Sequence, residues 1–159
     1  MNQPGPTHRL SAARFIAAGF GTGYAPFAAG TVASAVAAVS GGVLLLLSPW
    51  LVAAAALAAT FGGYFAIRRA GVEGDPGWVV IDEFAGQWIT LAALPRPGIG
   101  GLLIAFILFR LFDITKLGPV GWADRKHGAF GIMADDVIAG LIAAALLIWF
   151  RMVGPAWFM

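Results

Sequence analysis

The stretch Val32-Ala-Ser-Ala-Val-Ala-Ala-Val-Ser-Gly-Gly-Val-Leu-Leu-Leu-Leu47 carries no charge and is closed by Ser48-Pro49. A second apolar run, Leu51 to Ile67, follows at once and stops at Arg68-Arg69. The turn between them holds no more than a hairpin, so the two runs read as a membrane span and its return. Outward from this pair, Ala70 to Gly77 combines Glu73, Asp75 and Pro76 with three glycines and reads as a loop. Apolar character resumes from Val79 to Leu94, ends at Pro95-Arg96-Pro97, and returns from Ile99 to Phe112. A polar segment, Asp113 to Asp136, precedes a last run from Val137 to Phe150. The expectation is an all-α integral membrane bundle of about five short transmembrane helices. Several runs fall short of the roughly 20 residues that a bilayer core demands, so the charges at their ends should lie within the helices.

Composition agrees with the bilayer as solvent. The chain is 60% hydrophobic and only 11% charged, too oily for a soluble domain of 159 residues. Its net charge of +2 comes from scattered basic residues that build no basic arm or helix, which argues against nucleic acid as a partner. Without cysteine there is no disulfide, no thiolate metal site and no cysteine nucleophile. No apolar core with a small-residue cleavage site follows Met1 to Arg14 closely, so no removable leader is expected. With no repeat, low-complexity tract or linker, residues 1–159 read as one membrane-embedded unit.

With five crossings and a cytoplasmic N-terminus, Arg9, Arg14, Arg68, Arg69, Arg110, Lys116, Arg125 and Lys126 lie inside, and only Arg96 and Arg151 lie outside. The positive-inside rule favours that orientation. It also brings every acid of the chain (Glu73, Asp75, Asp82, Glu83, Asp113, Asp124, Asp135 and Asp136) to the inner face. Orientation needs bases but no acids. A one-sided acidic cluster opposite one-sided bases therefore points to a polar site for a charged ligand at the cytoplasmic interface.

Asp82 and Asp135 each precede an apolar run, where a carboxylate can cap a helix and favour its dipole. Capping explains one member of each doublet. It explains Asp82-Glu83 and Asp135-Asp136 together less well, because adjacent carboxylates repel unless a cation intervenes. Four hard oxygen donors, without cysteine and with only His127 in the interior of the chain, suit Mg²⁺. Arg110 and Asp113, three apart, share one helix face, either as an internal ion pair or as a phosphate clamp and its orienting partner. Gly19-Phe-Gly-Thr-Gly23 and Ala29-Gly30-Thr31 read either as close-packing positions or as an anion cradle. Arg68-Arg69 and Arg125-Lys126 read as topogenic charges, His127 as a loop histidine, and Glu73 and Asp75 as loop solvation.

Four blocks occur in order: Gly19-Phe-Gly-Thr-Gly through Gly30-Thr31, then Val80-Ile-Asp-Glu-Phe-Ala-Gly-Gln-Trp-Ile-Thr90, Phe109-Arg-Leu-Phe-Asp-Ile-Thr-Lys116, and Gly131-Ile-Met-Ala-Asp-Asp-Val-Ile-Ala-Gly140. Together they resemble the phosphatidylglycerophosphatase A family over about residues 15–150. Ala28-Ala29 departs from the family pattern, which has a proline directly before the glycine. The resemblance implies a small bacterial inner-membrane enzyme, multi-pass with its site facing the cytoplasm, that hydrolyses phosphatidylglycerophosphate to phosphatidylglycerol with Mg²⁺. On that reading Asp82, Glu83, Asp135 and Asp136 hold the metal, and Arg110, Lys116, Gly30 and Thr31 receive the phosphate. Asp82, Glu83, Asp113, Asp124 and Asp136 are then the catalytic candidates. Water attacks directly, or Asp113 or Asp124 serves as nucleophile or base. Two other readings are an ion or proton transporter, disfavoured because the acids sit at one face rather than along a path, and a CDP-alcohol phosphotransferase, whose Asp-Gly doublet and later acids at four-residue spacing are missing.

The split of basic residues generates a direct test. Reporter fusions or cysteine labelling should place Arg68-Arg69 and the Asp113 to Asp136 segment on the cytoplasmic side, and extracytoplasmic labelling of either would overturn the orientation.

Overall fold

A computed structural model describes residues 11–153, all in helices and connecting turns with no strand among the described residues. The helices are α1 (Ala12–Ala17), α2 (Ala29–Leu47), α3 (Pro49–Arg69), α4 (Ile81–Leu91), α5 (Ile99–Thr115), α6 (Pro119–Asp124) and α7 (Gly128–Val153), with a kinked 3₁₀ segment at Gly19–Tyr24. The α2–α3 hairpin forms as its sequence dictates. Ser48 is extended, its hydroxyl accepts the Trp50 N–H at 3.2 Å, and Pro49 sits in the first turn where no amide donor is needed. At the far end of α3, Arg68 and Arg69 meet the negative pole of the helix.

Three of the expected spans, α2, α3 and α7, are helices long and apolar enough to cross a membrane. The other two apolar runs make shorter helices, of 11 residues in α4 and 17 in α5. At 1.5 Å per residue α4 covers only about 16 Å, roughly half of a bilayer core. Its length is set by Val80, whose backbone is not helical, and by the Pro95-Arg96-Pro97 stop shortly after its end. Nor is α4 a lipid-facing element. It packs against α2, α3, α5 and α7, and most of its residues are buried, including the polar Asp82, Gln87 and Thr90.

The last helix departs from expectation in the opposite direction. It begins at Gly128, so much of the polar segment is helical and Asp135-Asp136 lie in its second and third turns instead of before its start. A carboxylate two turns inside a helix has no orphan amide to cap. At the other doublet, Asp82 and Glu83 occupy the first turn of α4, yet no side chain caps that helix. Capping therefore falls for Asp135-Asp136, while Asp82-Glu83 keep a position that favours the helix dipole without a side-chain cap.

Two glycines let α4 and α7 meet at backbone distance. A Cβ on Gly140 would lie 2.4 Å from the Gly86 carbonyl oxygen, and one on Gly86 would lie 2.6 Å from the Asp136 carbonyl oxygen. Thr90 Oγ1 spans the crossing, donating to the carbonyls of Gly86 at 2.9 Å and Gly140 at 3.3 Å. In a bilayer, where apolar burial does not drive helix association, such contact and polar bridging supply the cohesion. Further ties hold α4 and the turn after it: Trp88 Nε1 donates to the Ala37 carbonyl of α2 at 2.9 Å, and Arg151 of α7 donates to the carbonyl of Ala93, two residues past α4, at 2.7 Å.

The crossing predicts opposite outcomes for two glycine substitutions. Gly140→Ala overpacks it and should cost about 1–3 kcal/mol. Gly62→Ala, on an open face of α3 with nothing within 4 Å of the new methyl, should be neutral or stabilise by up to about 1 kcal/mol. Unfolding in detergent micelles checks both, and equal effects would contradict the crossing.

Candidate active site

The first turn of α4 and the third turn of α7 face each other across the glycine crossing. There, Asp82, Glu83 and Asp136 each place one carboxylate oxygen so that all three lie within 4.8 Å of one another. Asp82 and Asp136 are buried and Glu83 is partly buried. Two oxygens, Asp82 Oδ1 and Glu83 Oε2, have no hydrogen-bond partner among the described residues. Three carboxylates this close are unstable as bare anions and need protons or a shared cation. Their hard oxygen donors, two of them unengaged, fit a divalent metal of the Mg²⁺ type.

Asp135 has different company. Its Oδ2 accepts from Lys116 Nζ at 2.5 Å and its Oδ1 from the Asp136 amide at 2.9 Å, so it stands outside the three-carboxylate group. Lys116 is a hub. It also donates to Asp113 Oδ1 at 3.2 Å and lies 3.6 Å from Asp124 Oδ1. As the last residue of the α5 cap it has φ 49°, a left-handed conformation that costs a non-glycine residue about 1–2 kcal/mol. Burial alone would lower the pKa of its ammonium. The hydrogen bond to Asp135 and the charges of Asp136, Asp135 and Asp113 outweigh that, and the net shift is upward, which keeps the lysine cationic.

Arg110 faces it from the last two turns of α5. One guanidinium nitrogen, Nη1, pairs with Asp113 and lies 3.4 Å from Ser34 Oγ, while Nη2 donates to Thr31 Oγ1 at 3.2 Å. The pair expected from three-residue spacing is thus present, and it is also anchored to α2. Both Asp113 oxygens are engaged, one by Arg110 and one by Lys116. Asp113 thus holds two cations in place. Gly30 serves the cluster directly, because a Cβ there would lie 2.2 Å from Glu83 Oε1.

These groups line one cavity of about 430 Å³. Its walls carry six carboxylates, those of Asp75, Asp82, Glu83, Asp113, Asp135 and Asp136, against the two cations Arg110 and Lys116. Gly30 and Thr31 line it as well. The Gly19–Tyr24 segment does not, and packs instead against Trp78 and Phe84. Asp124, half exposed, lies outside this cavity and lines a smaller one of about 110 Å³ with Lys126 and His127. Arg68 and Arg69 line neither.

Three residues escaped the sequence reading. Asp75, taken for loop solvation, lines both cavities. Ser34 is fully buried, donates to the Gly30 carbonyl at 2.7 Å and meets Arg110. Its position one turn after Gly30 and Thr31 was the available signal. Gln87 is fully buried one turn after Glu83 with neither amide atom hydrogen-bonded among the described residues, and a polar residue in an apolar run at four-residue spacing from an acid was its signal.

A membrane-embedded helical bundle that sets buried carboxylates beside an anchored arginine and lysine has the parts of an interfacial enzyme for anionic phosphate esters. The comparison with known proteins gives this a family: residues 15–151 match the family model of phosphatidylglycerophosphatase A, and the chain belongs to that family. It is a phosphoric monoester hydrolase. It is 39% identical over 137 residues to phosphatidylglycerophosphatase A of Escherichia coli strain K12, covering 83% of this chain and 79% of that one. With the enzyme of the same name from Haemophilus influenzae it shares 37% identity over 143 residues, 87% of this chain and 88% of that one. A Bacteroides thetaiotaomicron protein named "Putative phosphatidylinositol-3-phosphatase" is also 37% identical over 143 residues, covering 83% of this chain and 89% of its own. No solved structure matches the chain.

Gly30→Ala separates site from scaffold. Alanine is the better helix former, so thermal stability in micelles should hold, while displacement of Glu83 should lower turnover by roughly 10²-fold. Retained turnover would show that Glu83 need not sit where Gly30 admits it.

Proposed function

We propose that this protein hydrolyses phosphatidylglycerophosphate to phosphatidylglycerol and inorganic phosphate, with Mg²⁺, at the cytoplasmic face of a bacterial inner membrane. The family supports the substrate. The observation that carries the metal is the charge balance of the cavity, six carboxylates against two cations, with three of those carboxylates within 4.8 Å of one another. A phosphomonoester dianion entering such a cavity adds to its negative charge. Protons could offset the surplus, but protonated carboxyls would no longer be anionic ligands. A divalent ion offsets it and attracts the substrate as well.

Asp82, Glu83 and Asp136 would hold the metal, which when bound neutralises charge on the transferring phosphoryl group and lowers the pKa of a bound water. Asp135 would act next to them through Lys116. Arg110 and Lys116, held by Asp113, present their cationic groups towards the phosphate oxygens, where charge develops in phosphoryl transfer. Thr31 steadies the Arg110 guanidinium at 3.2 Å and so fixes its direction. With both Asp113 oxygens engaged and Asp124 outside the cavity, neither is placed to form a covalent intermediate, which favours direct attack by water.

The test is phosphate release by the purified protein from phosphatidylglycerophosphate, phosphatidic acid and phosphatidylinositol 3-phosphate, with and without Mg²⁺. Release from phosphatidylglycerophosphate should be fastest and should stop in excess chelator. Asp82→Asn, Glu83→Gln and Asp136→Asn should each lose roughly 10²- to 10³-fold in rate while remaining folded. Full turnover after proven removal of metal, or near-normal rates in all three variants, would overturn the shared-metal assignment.

A further inference from the structure

An apolar groove of about 320 Å³ runs between α2 and α5, lined by Ala35, Ala38 and Val39 on one side and by Leu102, Leu103 and Phe106 on the other. These two helices are antiparallel neighbours, and the same pair forms one wall of the polar cavity. Thr31 and Arg110, hydrogen-bonded to each other, line the cavity, and the groove begins one helical turn away on each helix, at Ala35 and Phe106. Towards its far end Gly42 lets α2 approach α5, with a Leu102 methyl 3.1 Å from where a Gly42 Cβ would lie, and Ile99 lines the groove at the start of α5. From Thr31 to Gly42 the α2 axis advances about 16 Å, half of a hydrocarbon core of about 30 Å and hence the depth of one leaflet.

We propose that this groove is the subsite for one acyl chain of the phospholipid substrate, which enters sideways from the inner leaflet between α2 and α5. The inference rests on the lipid phosphatase reading of the polar cavity. Two other apolar grooves, of about 510 and 350 Å³, lie along α3 and α7. No residue of α3 lines the polar cavity, whereas α2 and α5 supply Gly30, Thr31, Arg110 and Asp113 to it. A chain seated in the α2–α5 groove therefore ends one helical turn from the residues of the same two helices that line the headgroup pocket. Because a bilayer is as apolar as the groove, the chain gains little by transfer. Its contribution is positional, aligning the headgroup of a bound lipid with Arg110 and the carboxylates.

Groove residues on the lipid-facing surface can be enlarged without touching the buried core. Ala35, Val39 and Leu103 are exposed, as are Leu57 and Leu141 in one of the other grooves. In mixed micelles with Mg²⁺ and diacyl phosphatidylglycerophosphate, Ala35→Phe and Val39→Trp should lower kcat and kcat/KM together by about tenfold and keep KM within about twofold, the pattern of a lost alignment in the transition state. Leu57→Trp and Leu141→Trp should leave both constants within about twofold. A second measurement uses the unsubstituted chain and a phosphatidylglycerophosphate with a photoreactive group in one acyl chain. Adducts should map to Val39 and Leu103 and be competed away by the plain lipid. Equal kinetic effects in both grooves, adducts spread evenly over Leu57 and Leu141, or a dimer contact that buries Val39 and Leu103 would each overturn the subsite. If the unsubstituted protein releases no phosphate, the phosphatase reading fails, and the adduct map still decides the groove.

Discussion

The backbone contact of α4 with α7 at Gly86 and Gly140 is the constraint on which the site depends. It sets the Asp136 carbonyl against Gly86, one turn below Asp82 and Glu83, and so brings acids more than fifty residues apart into one group. Side chains larger than hydrogen at these two positions would separate the helices and with them the carboxylates. Thr90 bridges the two glycine carbonyls and closes the crossing from below. The arrangement uses short-range contact where a soluble protein would use apolar burial, as suits a solvent that is itself apolar.

Around that crossing the charges are arranged in two tiers. Asp82 and Glu83 each keep an oxygen unengaged among the described residues, with an Asp136 oxygen within 4.8 Å of theirs, while Asp113 and Asp135 accept from Arg110 and Lys116. Carboxylates of identical chemistry thus divide by their neighbours alone, into a close group of three and two that pair with cations. Lys116 can reach Asp113, Asp124 and Asp135 together because the chain turns left-handed at that residue, and the three acids repay the strain of that turn.

The sequence made the hairpin of α2 and α3 legible, since an uncharged run, a Ser-Pro stop and a second run ending in two arginines allow little else. The Arg110–Asp113 pair followed from helical spacing, and the acid doublets stood out because adjacent anions in an oily chain need a reason. Helix limits near the acids were less readable. Asp135-Asp136 looked like a boundary, yet burial against α4 lets α7 run through them, because a charge inside a protein does not face lipid. The shortness of α4 was hidden for a related reason: composition does not distinguish residues that face lipid from those that face other helices. The link of Lys116 to Asp135 spans nineteen positions and hangs on one backbone angle, which no spacing rule reports.

The central place of α4 bears on how the chain enters the membrane. An 11-residue helix with two acids in its first turn is too short and too polar to partition into a bilayer alone, an aspartate at mid-membrane costing about 2.5–3.5 kcal/mol on insertion scales. The long apolar helices α2 and α3 precede it and α7 follows it, so the segment acquires a stable home only once α7 has arrived to surround it. Insertion and tertiary folding are then one process for this protein, and α7, the last of the described helices, completes both the bundle and its acidic group.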